Sequence, residues 1–160
     1  MKVSTIIETK SKTETQKVAE MLALEIRQNP AKKAVVLALQ GELGAGKTTF
    51  SQGFARALGV KEKITSPTFV LMKIYELPCH LSPVTCHFRH FVHIDCYRLN
   101  SPKELADLGF KKILKDKTAI VLIEWAERVR RLLPKNAIWV KFEHGEKHNE
   151  RIIKILSTKY

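Results

Sequence analysis

Residues 41–49 read Gly-Glu-Leu-Gly-Ala-Gly-Lys-Thr-Thr, so Gly41, Gly46, Lys47 and Thr48 fill every fixed position of the phosphate-loop pattern G-x-x-x-x-G-K-[ST]. Glycines let a backbone fold tightly with its amides turned inward, and a helix starting at the lysine adds a partial positive charge of about half a unit. A lysine there reaches the β and γ phosphates of a nucleotide, and the following hydroxyl can ligate Mg²⁺. The expected cradle is therefore Gly41, Glu42, Leu43, Gly44, Ala45, Gly46, Lys47, Thr48 and Thr49. Turnover needs acids as well, to hold metal and position water. Asp95 and Glu124 each follow a short apolar run, residues 91–94 and 120–123. Ligands of parallel α/β sheets bind beyond the strand ends, which is where both acids fall.

The elements needed to hold these groups are legible around them. Residues 34–39 form a continuous apolar run, as expected of a strand covered on both faces; the glycine turn follows, then a helical pattern from Lys47 to Leu58 closed by Gly59. Ahead of it, Ser11-Lys-Thr-Glu14 reads as a capping box opening a helix over residues 13–27, with Val18, Met21, Leu22 and Ile26 at helical spacing and Asn29-Pro30 ending it. Residues 68–75 and 90–97 read as strands separated by a Pro-, His- and Cys-rich loop at 77–89. A second capping box, Ser101-Pro-Lys-Glu104, opens a helix to about Leu108. Residues 119–123 are a second buried run, a short basic helix covers 126–133, and strands near 137–143 and 151–156 suggest a C-terminal antiparallel hairpin. Alternating strands and helices predict an α/β fold with a largely parallel central sheet flanked by helices.

The chain has 160 residues, 44% of them apolar, which suits one domain spanning 1–160. No stretch approaches the roughly 18 apolar residues of a membrane span, and the first dozen residues lack the apolar centre of a secretory signal, so a soluble, cytoplasmic protein is expected. Twenty-eight Lys and Arg against 16 Asp and Glu give a net charge of +12, suited to acidic partners. The basic residues are spread along the chain, which is also what a solvated surface looks like. The three cysteines resemble no disulfide framework, and reduced thiols are expected. Cys79, His80, Cys86, His87 and His90 could bind zinc, but without a C-x₂-C pair an extended, solvated hairpin tip is the favoured reading.

Four segments together carry a family resemblance: residues 41–50, Thr65-Ser-Pro-Thr-Phe69, His93-Ile-Asp-Cys-Tyr-Arg-Leu99 and Ile123-Glu-Trp125. In order and approximate spacing they are similar to the TsaE family, ATPases of bacterial tRNA threonylcarbamoyladenosine synthesis, over nearly the whole chain. The resemblance implies ATP and Mg²⁺ as cofactors and TsaD and TsaB as partners, the pair that transfers threonylcarbamoyl to the adenosine beside the anticodon. It implies ATP hydrolysis when docked on that pair, proximity to tRNA, and no role on DNA. By motif matching, Lys47 would bind phosphate, while Thr48 and Glu124 would hold Mg²⁺. Thr68 would sense the γ phosphate, and Asp95 would orient water or sit behind the metal. Trp125 would lie at the nucleotide or partner face, with a core tryptophan as the other reading. Ser11, Lys12 and Thr15 would stand on the adenine side. The loop at 78–90 looks longer than the family's usual connection.

Other functions remain open on residues alone. No Asn-Lys-x-Asp and no Asp-x-x-Gly follow the loop, so adenine is preferred over guanine. A small-molecule kinase would carry an arginine-bearing lid, for which Arg128, Arg130 and Arg131 are the only dense cluster. A nucleic-acid module with a vestigial ATP site fits the charge, yet the interleaving of aromatic and basic residues seen on RNA-binding sheets is missing.

Overall fold

The computed structural model describes residues 2–65, 70–79 and 86–158. Seven strands form one sheet in the order β1-β7-β6-β2-β5-β4-β3. At its centre β2 (Val35–Gln40) pairs in parallel with β5 (Ala119–Glu124) and β6 (Ile138–His144), and β4 (His90–Asp95) pairs in parallel with β5. The flanks are antiparallel: β3 (Met72–Glu76) on β4, then β7 (Arg151–Thr158) on β6 and β1 (Lys2–Thr9) on β7. The expected parallel core and C-terminal hairpin are both present.

Alternation along the buried strands divides the core between two layers. Val35, Leu37 and Leu39 of β2, with Ile120 and Leu122 of β5, face α1 (Lys12–Gln28) and α2 (Lys47–Ala57), where they meet Leu22, Ile26, Phe50 and Phe54. Val36 and Ala38, with Val121 and Ile123, pack on the other side against α3 (Pro102–Asp107), α4 (Phe110–Ile113) and the 3₁₀ segment Ala126–Leu132 through Leu105, Phe110, Ala126 and Val129. Each fully buried phenylalanine, Phe50 and Phe54 among them, contributes on the order of 1.5–3 kcal/mol. The layer of α1 and α2 is tight because α2 carries Gly53, where a Cβ would lie 2.7 Å from the Gln16 backbone. That close approach fixes the phosphate-loop helix against α1.

Four elements depart from expectation, the first being α4, which follows the helix expected to end near Leu108. The strand expected from Thr68 begins at Met72; residues 66–69, Thr68 included, lie outside the described residues. The strand expected to run to Tyr97 stops at Asp95, where the Tyr97 amide donates to Asp95 Oδ1 at 2.9 Å and turns the chain. Strand β1 was not anticipated: as an edge strand it leaves Ser4, Thr5, Ile6 and Glu8 exposed, so it carries no clear alternation.

Candidate active site

Between β2 and α2 the chain makes a turn that only small residues permit. A Cβ on Gly41 would sit 2.8 Å from the Phe142 carbonyl oxygen, so the loop lies directly on β6. Gly46 caps α2 in the left-handed region at φ 102°, a conformation that glycine adopts without the penalty other residues incur. Ala45 is buried behind the loop while Leu43 is 72% exposed at its tip. Gly41, Glu42 and Ala45 form the back of the turn; Leu43, Gly44, Gly46, Lys47, Thr48 and Thr49 line a cleft of about 460 Å³.

Lys47 is only 5% exposed. Its ammonium donates to the carbonyls of Gly41 at 2.6 Å and Glu42 at 2.7 Å, and it stands 3.8 Å from the centre of the Trp125 ring. Burial lowers its pKa, and the carboxylates of Glu124, Glu127, Asp95 and Glu42 oppose that shift. A cation so placed has carbonyl dipoles and a π face for partners, and no carboxylate in direct contact among its described bonds. An arriving phosphate would be a stronger partner than either.

Asp95 and Glu124 are opposite one another in the β4–β5 register, at the C-terminal ends of both strands. Glu124 is 1% exposed, and its two oxygens are held from three sides. Thr48 Oγ1 donates to Oε2 at 2.9 Å, Ser51 Oγ donates to Oε1 at 2.8 Å, and His93 Nε2 lies 2.9 Å from Oε1. Burial alone would raise its pKa; the bond and charge of His93 and the hydroxyls of Ser51 and Thr48 outweigh that and hold it below the ordinary carboxylate value. Oε1 is thus saturated, while Oε2 accepts from Thr48 alone. An ionised carboxylate oxygen beside a hydroxyl, facing a polar cleft, is the hard oxygen donor set that Mg²⁺ takes. These residues therefore fit the ion that the sequence implies.

The cleft is closed by groups from four further segments, of which the β1–α1 junction and the ends of β4 and β5 are three. Ser11, Lys12 and Thr15 of the β1–α1 junction line it, as do Asp95, Tyr97, Glu124 and Trp125. Ser11 Oγ already accepts from the Glu14 amide at 3.1 Å, and the Thr15 and Thr9 hydroxyls bond at 2.9 Å, which leaves Lys12 as the free polar side chain of the three. Trp125 has left-handed backbone angles, φ 57° and ψ 40°, the one non-glycine residue with positive φ among the described residues. Such a conformation costs of order 1–3 kcal/mol and tends to mark functional positions. Here it turns the indole so that one part packs on the second core layer while its face meets Lys47 and, at 5.0 Å, the Tyr97 ring. The indole thus belongs in part to the core and in part to the wall of the cleft.

Several site residues were not found by sequence reasoning. Ser51, one turn beyond Lys47, belongs to no fixed motif position, and His93 stands in a family segment with no role of its own. His93 is fully buried and stacks on Phe91, and its ring also fixes Glu124. The β6–β7 turn adds His148, Asn149 and Arg151 to the cleft. Asn149 Nδ2 donates to the Lys10 carbonyl at 2.9 Å, and Arg151 donates to the Gly44 carbonyl at 3.0 Å, tying the C-terminal hairpin to both the α1 entrance and the phosphate loop. Nothing in their spacing announced this, since Arg151 and Gly44 stand 107 residues apart in the chain. None of Arg128, Arg130 and Arg131 lines the cleft: Arg128 donates to the Leu99 carbonyl and Arg130 stands over Trp139.

The expectation of reduced thiols is corrected in one place. Cys79 and Cys86 form a disulfide, because the two ends of the loop bring their Cα atoms to 5.7 Å. That bond uses the thiols a zinc site would have needed, and no group of three His, Cys, Asp or Glu suited to a metal occurs among the described residues. Residues 80–85, with His80, lie outside them. Cys96 is free and buried, and burial, helped by the Asp95 charge, pushes its thiol up to about 12.

The parallel core, the glycine turn into α2 and the acids at the ends of the neighbouring strands define a P-loop protein. Residues 9–153 match the family described as threonylcarbamoyl adenosine biosynthesis protein TsaE. Among similar chains is the tRNA threonylcarbamoyladenosine biosynthesis protein TsaE of Rickettsia conorii, 35% identical over 149 residues, 92% of this chain and 75% of that one. The protein of the same name from Bacillus subtilis is 32% identical over 151 residues, 92% and 83% of the two chains. The crystal structure of Bacillus subtilis YdiB superposes with a TM-score of 0.75 at 28% identity, covering 99% of this chain and 88% of that one. The chain belongs to the TsaE family. No helix among the described residues is long and apolar enough to cross a membrane.

Proposed function

We propose that this protein is a Mg²⁺-dependent ATPase which, docked on TsaD and TsaB in the cytoplasm, supports threonylcarbamoyl transfer to the tRNA adenosine beside the anticodon. The observation that carries the ATPase reading is the ionised, triply held Glu124 carboxylate facing Thr48 across the mouth of a complete phosphate loop. The tRNA role rests on family membership and on the names of the similar chains.

The chain's own groups divide the work. Lys47 gives up the Gly41 and Glu42 carbonyls and takes phosphate oxygens, while the loop amides and the start of α2 hold the rest of the phosphate chain. Thr48 Oγ1 and Glu124 Oε2 would hold magnesium, which would supply neutralisation of phosphate charge. His93 and Ser51 keep the carboxylate from turning away. Asp95, opposite Glu124 in the register and lining the same cleft, orients the attacking water. Lys12, Asn149 and Trp125 surround the remainder of the nucleotide, with adenine favoured for want of a guanine-reading motif.

Dependence on a partner is supported by the open rim. Leu43 at 72% and Tyr97 at 43% exposure are large apolar groups standing at the cleft mouth, as a surface covered on docking would present them. The test is phosphate release from Mg²⁺-ATP by this protein alone, with TsaD and TsaB, and with each separately. Strong stimulation by the pair is expected. Equal rates in all four mixtures would overturn partner activation, and phosphorylation of an added nucleoside or sugar would favour the kinase instead.

A further inference from the structure

The parallel strands all point their C-terminal ends at the cleft, so their starts share the opposite edge of the sheet. Across that edge, in the spatial order β6, β2, β5, β4, the residues just ahead of the strands are Lys135, then Lys32 and Lys33, then Lys115 and Lys117, then Arg89. All six are exposed. Backbone bonds lock these segments side by side: the Ala34 amide donates to the Leu114 carbonyl at 3.3 Å, and the Arg89 amide to the Thr118 carbonyl at 2.8 Å. With neighbouring strands about 4.8 Å apart, the four starts span roughly 14 Å.

Two carboxylates stand at this edge, Asp116 between Lys115 and Lys117 and exposed Glu76, opposite His90 in the β3–β4 register beside Arg89, and two against six do not neutralise the row. Asp116 accepts from the Thr118 amide at 2.8 Å and the Thr118 hydroxyl at 2.7 Å, and lies 3.4 Å from His90 Nδ1. Beneath Lys32, Lys33 and Lys135 lies a cleft of about 790 Å³ with Val36 and Ile138 among its walls and no acidic residue in its lining. Of the aromatic residues near the rim in sequence, Phe88 and Phe91 are buried, and Trp139 is half-buried against the second core layer with Arg130 over its ring. The rim therefore offers a row of point charges without an aromatic anchor.

We infer that this basic edge, at the pole opposite the phosphate loop, is a docking surface for the phosphate backbone of RNA. Protein interfaces are depleted in lysine and take most of their affinity from buried Trp, Tyr and Arg anchors, whereas five of the six cations of this rim are lysines and none of the six is an aromatic residue. A polyanion with a phosphate every few ångströms needs only the row of charges, and such charges fix position without reading sequence. The family's chemistry supplies such a polyanion, since the similar chains are named for a tRNA modification. The inference goes beyond ATP hydrolysis and does not depend on it: a protein held on RNA by this pole keeps its nucleotide cleft free at the other.

The experiment uses the full chain and a fluorescein-labelled, unmodified tRNA transcript, titrated at several KCl concentrations between 50 and 200 mM. The triple variant Lys33→Ala/Lys117→Ala/Lys135→Ala should bind the transcript at least about tenfold more weakly at 100 mM salt. Its plot of log affinity against log salt should also be shallower by roughly two, at about 0.7–0.9 for each phosphate that is no longer neutralised. Mg²⁺-ATP binding and the circular dichroism spectrum should be unchanged. A control, Lys10→Ala/Lys147→Ala, removes two exposed lysines at the cleft end and should bind RNA as the parent does. Equal weakening by the control would mean diffuse attraction to a +12 chain and would overturn the assignment. Unchanged RNA binding in the triple variant would also overturn it, and if that variant lost its hold on TsaD and TsaB instead, the edge is a protein interface.

Discussion

Glu124→Ala and Glu124→Gln should separate what the buried carboxylate does for the fold from what it does for the nucleotide. Alanine removes the acceptor of three hydrogen bonds at once. Ser51 keeps a second partner in the Lys47 carbonyl at 3.0 Å, and Thr48 is half-buried beside the cleft, where water reaches it. His93 has no such recourse: it is fully buried, and its Nδ1 already lacks a partner, so both ring nitrogens would be orphaned. Breaking a buried pair this way costs about 3–5 kcal/mol, and for a chain of this size each kcal/mol lowers Tm by about 2–4 °C. The alanine variant should therefore melt at least about 6 °C below the parent. Glutamine keeps the shape, its amide can accept and donate, and the hydroxyls and the imidazole can reorient, so its loss should be about 1 kcal/mol. The charge is gone in both, and both should lose Mg²⁺-dependent turnover by at least about tenfold. Thermal melts followed by circular dichroism, with phosphate release in parallel, decide the matter. An alanine variant melting within about a degree of the parent, or a glutamine variant with full turnover, would refute the reasoning.

The acid limb of stability should report the same group. Because the folded-state pKa of Glu124 is held below the ordinary 4.5, its contribution is present above that value and is lost as pH falls through the depressed one; urea midpoints of Glu124→Gln should fall less steeply than the parent's below pH 4.5. Gly53→Ala forces a Cβ to 2.7 Å from the Gln16 backbone and should cost about 1–3 kcal/mol by denaturant titration while leaving the cleft residues in place. Asp95→Ala should lower phosphate release with nucleotide affinity, measured by calorimetry, largely retained; a large loss of affinity would move Asp95 from water to binding. Cys96, with its thiol raised to about 12, should resist alkylation at about pH 8 in the native state and react only on unfolding.

What could be read in advance follows from how local each signal is. The phosphate loop, the capping boxes and the apolar runs of β2 and β5 are written in contiguous residues, and each formed within a residue or two of its expected bounds. Asp95 and Glu124 were placed by their position after apolar runs, and the register sets them opposite one another. Pairings between distant parts of the chain were illegible. Ser51 and His93 reach Glu124 across 73 and 31 residues, and the hairpin reaches the loop through Arg151. A strand such as β1, exposed along much of its length, gives no periodicity to detect, and a disulfide depends on where a loop's ends meet.

The measurement that bears most directly on the nucleotide site is calorimetric titration of Mg²⁺-ATP into the protein, repeated with Lys47→Ala and followed by the emission of Trp125 in a Trp139→Phe background. Lys47 must leave the Trp125 ring to reach phosphate, so saturable binding with a matching change in emission is expected, and both should vanish in the lysine variant. Absence of binding by the parent protein, or binding that survives removal of the Lys47 ammonium undiminished, would contradict it.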